Sequence, residues 1–204
     1  MLSKTPPANV KPTYIIDFLN VFSDYREMLY KKEKLNFHSF KDANLQKDLQ
    51  NYFVFFTEKF IEKLNLKKSA RYIFIIKKIP LIESFLPDLL KTYSNFDFEF
   101  LIIYSKLNNE VFDKNKDDVL CKFLYNYIPE SIVITNDLYL DMNNYIYVFD
   151  KVSIAFVIYK KFNMGIIGSS PYSKVKNAVT IDKKQIKQNF QRKCLSKKYI
   201  QKLI

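Results

Sequence analysis

The chain has 204 residues, is 48% hydrophobic and 17% aromatic, and carries a net charge of +12. That much apolar material buries one sizeable core and excludes a disordered chain. No run approaches the about 18 apolar residues of a membrane span, and two cysteines, Cys121 and Cys194, are too few for a disulfide framework.

Residues 1–12 read as a polar, proline-containing lead-in without the apolar core of a signal peptide. Residues 13–16 predict a short buried strand that ends at Asp17, and the pattern turns helical over 21–29. A polar interval with the single histidine, His38, follows. It has no second histidine for a triad or zinc site and reads as an ordinary residue. Leu49, Phe53, Phe56, Phe60 and Leu64 recur at three- and four-residue spacing and predict a long helix over 45–65.

Strands are expected at 71–76, 98–104 and 131–135, and helices at 81–93 and 116–127. Residues 145–149 and 152–159 read as one or two further strands, a hairpin being one arrangement. Continuous apolar strands alternating with helices imply a mainly parallel sheet covered on both faces, a three-layer α/β/α domain over 12–160. Gly165, Gly168, Ser169, Ser170 and Pro171 read as a joint to a basic C-terminal extension, 161–204, with a helix from about 182 to 203. On that helix Ile186, Phe190, Cys194 and Leu195 would pack.

Charge divides ten residues earlier, between 150 and 151. Residues 1–150 hold 20 basic and 20 acidic residues; residues 151–204 hold 13 basic ones against Asp182 alone. A basic segment beside a neutral domain suits a polyanionic partner, because it releases counterions from nucleic acid. Lys183, Lys184, Lys187, Arg192, Lys193, Lys197 and Lys198 are its candidate contacts, and Arg26, with Tyr25, is a candidate near the domain's first motif. A solubilising tail is the plain alternative.

Six acidic or amide residues follow a predicted strand or open a predicted helix: Asp17 and Asn20, Asp117 and Asp118, Asp137 and Asp141. A carboxylate directly after a run of Ile and Val is costly to desolvate without a positive partner. Singly, the pairs have ordinary readings as helix caps and dipole partners. Jointly they suggest one cation at the sheet's carboxyl edge, where open α/β sheets bind ligands. An oxygen-only set suits Mg²⁺ or Mn²⁺, which would orient a water for in-line attack on a phosphodiester. No glycine-rich phosphate loop competes with this reading.

The order Asp-x-x-Asn after the first strand, Lys-Asp-Asp opening a helix, and Thr-Asn-Asp-x-x-x-Asp after the fourth strand resembles the PIN-like nucleases. The closest branch is NYN, which includes the Regnase-type ribonucleases, and the resemblance spans roughly residues 14–160. It implies a PIN-like fold and Mg²⁺- or Mn²⁺-dependent endonuclease cleavage, typically of single-stranded RNA. The acidic pocket maps onto Asp17, Asn20, Asp117, Asp118, Asp137 and Asp141, with Asp17, Asp118, Asp137 and Asp141 as metal ligands and Asn20 as an orienting group.

Two departures stand out. Only Cys194 and no histidine follow residue 160, so the zinc finger usual in the Regnase type has no ligands here, and Phe18 replaces the glycine expected after the first Asp. RNA engagement would then fall to the basic extension.

The expectation is therefore a metal-dependent endoribonuclease, acting on single-stranded RNA as a homodimer or within a larger nucleoprotein assembly, without a membrane. An inactive RNA-binding or scaffold subunit and a structure-specific DNA nuclease are the alternatives. Rare glycine (2 residues) with abundant Lys, Asn, Ile, Phe and Tyr reads as the coding bias of an AT-rich genome, that of a virus, a protist or a low-GC bacterium. The expected setting is intracellular, in the cytoplasm, of the host if viral.

Overall fold

The computed structural model describes residues 11–30, 44–104, 115–136, 151–160, 178–182 and 192–194. Its strands are β1 (Thr13–Asp17), β2 (Arg71–Lys77), β3 (Asp97–Ile103), β4 (Ser131–Thr135), β5 (Lys151–Lys160), β6 (Ala178–Asp182) and β7 (Arg192–Cys194). The helices are α1 (Phe18–Tyr30), α2 (Leu45–Phe55), α3 (Ile61–Lys63), α4 (Pro80–Thr92) and α5 (Lys116–Tyr127). A π-helical turn, Phe56–Phe60, joins α2 to α3 without a break. This rod ends where Asn65 takes a positive φ of 52°, a conformation Asn tolerates better than most residues. Its N–H and that of Leu66 then cap the carbonyls of Glu62 and Ile61.

The strands form one sheet in the order β6-β5-β3-β2-β1-β4-β7. β3, β2, β1, β4 and β7 run parallel, whereas β5 lies antiparallel to β3 and β6 antiparallel to β5. All five residues of β1 are buried, as a central parallel strand requires. The chain steps outward from β1 to β2 and β3, then returns to place β4 on β1's other side. The order therefore reverses between β1 and β4, and their carboxyl ends make the topological switch point.

Strand periodicity divides the core. Tyr14, Ile16, Tyr72, Phe74, Ile76, Phe98, Phe100, Ile102 and Ile134 pack with α1, α2 and α4 in one aromatic-rich cluster. The alternate residues, Ile15, Ile73, Ile75, Leu101 and Val133, are also buried, on the face where α5 contacts β1, β2 and β4 with Val119, Leu120 and Leu124. Cys121 on α5 is buried. Asp17, Lys77 and Thr135 share the parity of that second face, so the strand ends aim them at the α5 side.

The first four strands and the helices fall within a few residues of their expected positions. The expected C-terminal helix is corrected. Residues 178–182 pair with β5, and Arg192–Cys194 pair with Val133–Thr135 of β4. Without β7, β4 would end the sheet with a row of unpaired backbone groups, and that non-local gain outweighs local helical spacing. Gly165 through Pro171 and the expected strand at 145–149 lie outside the described residues. Among the described residues no helix is long and apolar enough to cross a membrane.

The antiparallel strand β5 is tied to the parallel core at one carboxylate. Tyr159 of β5 donates to Glu83 Oε1 at 2.5 Å, and Tyr104, just past β3, donates to the same oxygen. Burial, then the bond to Glu83, pushes the Tyr159 hydroxyl from 10.0 up to about 12. Between those values the unfolded chain has released this proton and the folded chain has kept it, so stability falls as pH rises through the window. Thermal melts from about pH 9 to 12 should therefore drop more steeply for wild type than for Tyr159→Phe. Equal slopes would show that the fold does not hold this proton.

Candidate metal centre

At the switch point the sequence passes from β1 to α1 with no intervening loop, so Asp17 is fixed by both elements. It is fully buried, at 0% exposure. Thr135 Oγ1, at the end of β4, donates to Asp17 Oδ2 at 2.7 Å, and Asn20 Nδ2, one turn into α1, donates to the same oxygen. Both bonds fall on Oδ2 and fix the plane of the carboxylate without occupying Oδ1. Asn20, from the helix that follows β1, and Thr135, from the neighbouring strand, thus hold the same oxygen from two elements.

α5 brings the second pair. Its first turn carries Asp117 and Asp118, 4% and 9% exposed, where the helix dipole favours negative charge. Neighbours on a helix point about 100° apart, yet both reach the cluster because α5 starts against the carboxyl edge. Asp17, Asp117 and Asp118 each offer one carboxylate oxygen, and the three atoms lie within 4.8 Å of one another. Three carboxylates this close and this buried repel strongly unless a cation lies among them.

The donor set fits a hard divalent cation. Mg²⁺–oxygen bonds of about 2.1 Å set opposite ligands about 4.2 Å apart. A spread of 4.8 Å closes to that with small side-chain rotations, or with one carboxylate acting through water. The cluster holds no sulfur or imidazole, which disfavours the softer metals.

One cation is already present. Lys77, at the end of β2, places Nζ 2.9 Å from Asp117 Oδ1. This buried oxygen accepts no hydrogen bond among the described residues, so the contact is an ion pair outside hydrogen-bonding geometry. Sequence reasoning missed Lys77, one of 33 basic residues and 40 positions from its partner.

It also missed Asp24, buried on α1, to which Asn136 Nδ2 donates while also donating to the Asn20 carbonyl at 3.2 Å. The seven-residue spacing from Asp17 through Asn20 to Asp24 was the available signal. Lys122, four residues after Asp118 and 1% exposed, is a further buried charge on α5.

Arg26 is corrected. It is 1% exposed and its Nε lies 2.6 Å from Asp48 Oδ2 of α2, so it is enclosed between two helices and presents nothing to a phosphate. Tyr25 is likewise buried, packed on Tyr52 and Phe55. Asp137 and Asp141 lie outside the described residues, as do His38, Lys183, Lys184, Lys187, Lys197 and Lys198. Arg192 and Lys193 lie in β7, with Lys193 in register with Ile134 and Cys194 with Thr135. No family model, no curated protein and no solved structure matches the chain.

Proposed function

We propose that the chain is a metal-dependent endoribonuclease with a PIN-like three-layer α/β/α fold. The observation that carries this reading is the buried Asp17–Asp117–Asp118 cluster at the switch point of a parallel sheet. Such a cluster is unfavourable as a structural element and useful as a cation cage. Asp17, Asp117 and Asp118 would hold Mg²⁺ or Mn²⁺, with Asp137 and Asp141 completing the site. When bound, the cation supplies an activated water and charge stabilisation for phosphodiester hydrolysis.

The chain's own residues set the rest. Thr135 and Asn20 lock the Asp17 carboxylate, and α5 presents its two acids together. β7 runs parallel to β4 and ends level with Thr135, which brings a basic segment to the edge that holds the acids. That placement supports RNA as the polyanion, held by Arg192, Lys193 and the lysines around them.

The test is a cleavage assay on single-stranded RNA, duplex RNA and DNA, with Mg²⁺, Mn²⁺ or a chelator. Internal cuts in single-stranded RNA that require the metal are expected. Protein that binds RNA and never cuts it with either ion is an RNA-binding subunit instead, and preferential cutting of DNA flaps points to a DNA nuclease.

A further inference from the structure

We infer that Lys77 is the resident counter-ion of the acidic cluster: an incoming divalent cation displaces its ammonium from Asp117, and the released ammonium then binds the phosphate of the substrate. The inference rests on the metal-site reading above and adds a residue that reading does not need.

Three observations carry it. Lys77 ends β2 on the same face as Asp17 and Thr135, so the sheet's register, and not a flexible loop, aims it at the cluster. Its Nζ is 2.9 Å from Asp117 Oδ1, a buried oxygen that accepts no hydrogen bond among the described residues, so a cation of higher charge competes for that oxygen directly. Its side chain is 32% exposed while that of Asp117 is 6% exposed. The ammonium therefore stands at the mouth of the site, on a long stem that reaches outward as easily as inward.

A metal ion and an ammonium compete for the same carboxylate. Removing the ammonium removes both the competitor and a positive charge a few ångströms from the cation, so the cation should bind more tightly. The same removal takes a positive charge away from the scissile phosphate, so turnover should fall. Tighter metal with slower cutting is a combination that a merely structural lysine does not produce.

The experiment is calorimetric titration of full-length protein with Mn²⁺ in the absence of RNA, followed by cleavage at saturating Mn²⁺. Lys77→Met should bind Mn²⁺ roughly tenfold more tightly than wild type and cut RNA roughly ten- to a hundredfold more slowly. Lys77→Gln serves if the Met variant melts early, and must show the same tightening. Lys78→Met is the control and should bind Mn²⁺ like wild type, since the neighbouring Lys78 lies over the Tyr104 ring at 4.6 Å.

Unchanged or weaker Mn²⁺ binding in both Lys77 variants overturns the counter-ion role. Tighter binding with undiminished cleavage overturns the transfer to phosphate. Wild-type protein that takes up no Mn²⁺ overturns the metal-site reading itself, an outcome distinct from both.

Discussion

Asp17→Asn should reduce metal-dependent RNA cleavage by at least about 10³-fold, some 4 kcal/mol of barrier, with the fold intact. Asn keeps the size of the side chain, and its amide oxygen still accepts from Thr135 Oγ1 and Asn20 Nδ2, the two groups that hold the carboxylate now. What is lost is the negative charge at the one acid that both β1 and α1 fix. Loss of that charge also relieves repulsion from Asp117 and Asp118, whose oxygens lie within 4.8 Å of it. The variant should therefore melt at the same temperature as wild type or higher in metal-free buffer. In Mn²⁺ the order should invert, because wild type gains stability from binding the ion and the variant gains much less. Undiminished cleavage by Asp17→Asn would remove the acid cluster from catalysis whatever its fold-level appeal.

Much of this arrangement was legible in the chain, for definite physical reasons. A strand buried on both faces must be a continuous apolar run, so Tyr14-Ile15-Ile16 and Ile132-Val133-Ile134 announce β1 and β4, and a polar residue just after such a run marks the carboxyl edge. Asp17 was found that way, and Asp117 and Asp118 as the acids that open a helix. Their pairing partners were not. Lys77 reaches Asp117 across 40 residues, and Thr135 reaches Asp17 across 118. Only the register of the folded sheet brings such residues together, and nothing in a local window marks one basic residue among 33.

β7 escaped for the same reason in backbone form. Gln191-Arg192-Lys193-Cys194 has no strand-like alternation of its own and gains its conformation from the open edge of β4. Arg26 was misplaced because an arginine beside a proposed active site invites a phosphate. Its true partner, Asp48, lies on a different helix.

That misplacement makes the second large effect a decisive one. Asp48→Ala should destabilise the chain by about 3–5 kcal/mol, because it leaves a guanidinium between α1 and α2 without its carboxylate. Both side chains of the pair are only 2% exposed, so water cannot take over the solvation that Asp48 supplies. For a chain of this size that loss corresponds to a melting temperature lower by roughly 6–20 °C. Arg26→Met with Asp48→Leu should recover most of it, since a buried ion pair exchanged for packed apolar side chains is often neutral or better.

The two readings of Arg26 separate cleanly here. A phosphate contact, once removed, lowers RNA affinity and the salt dependence of binding while the melting temperature holds. A buried strut does the reverse. α1 also carries Asn20 and Asp24, so loosening it from α2 should depress cleavage only as far as it depresses folding. Activity per folded molecule, measured well below the melting transition, should stay near that of wild type in the repaired double variant.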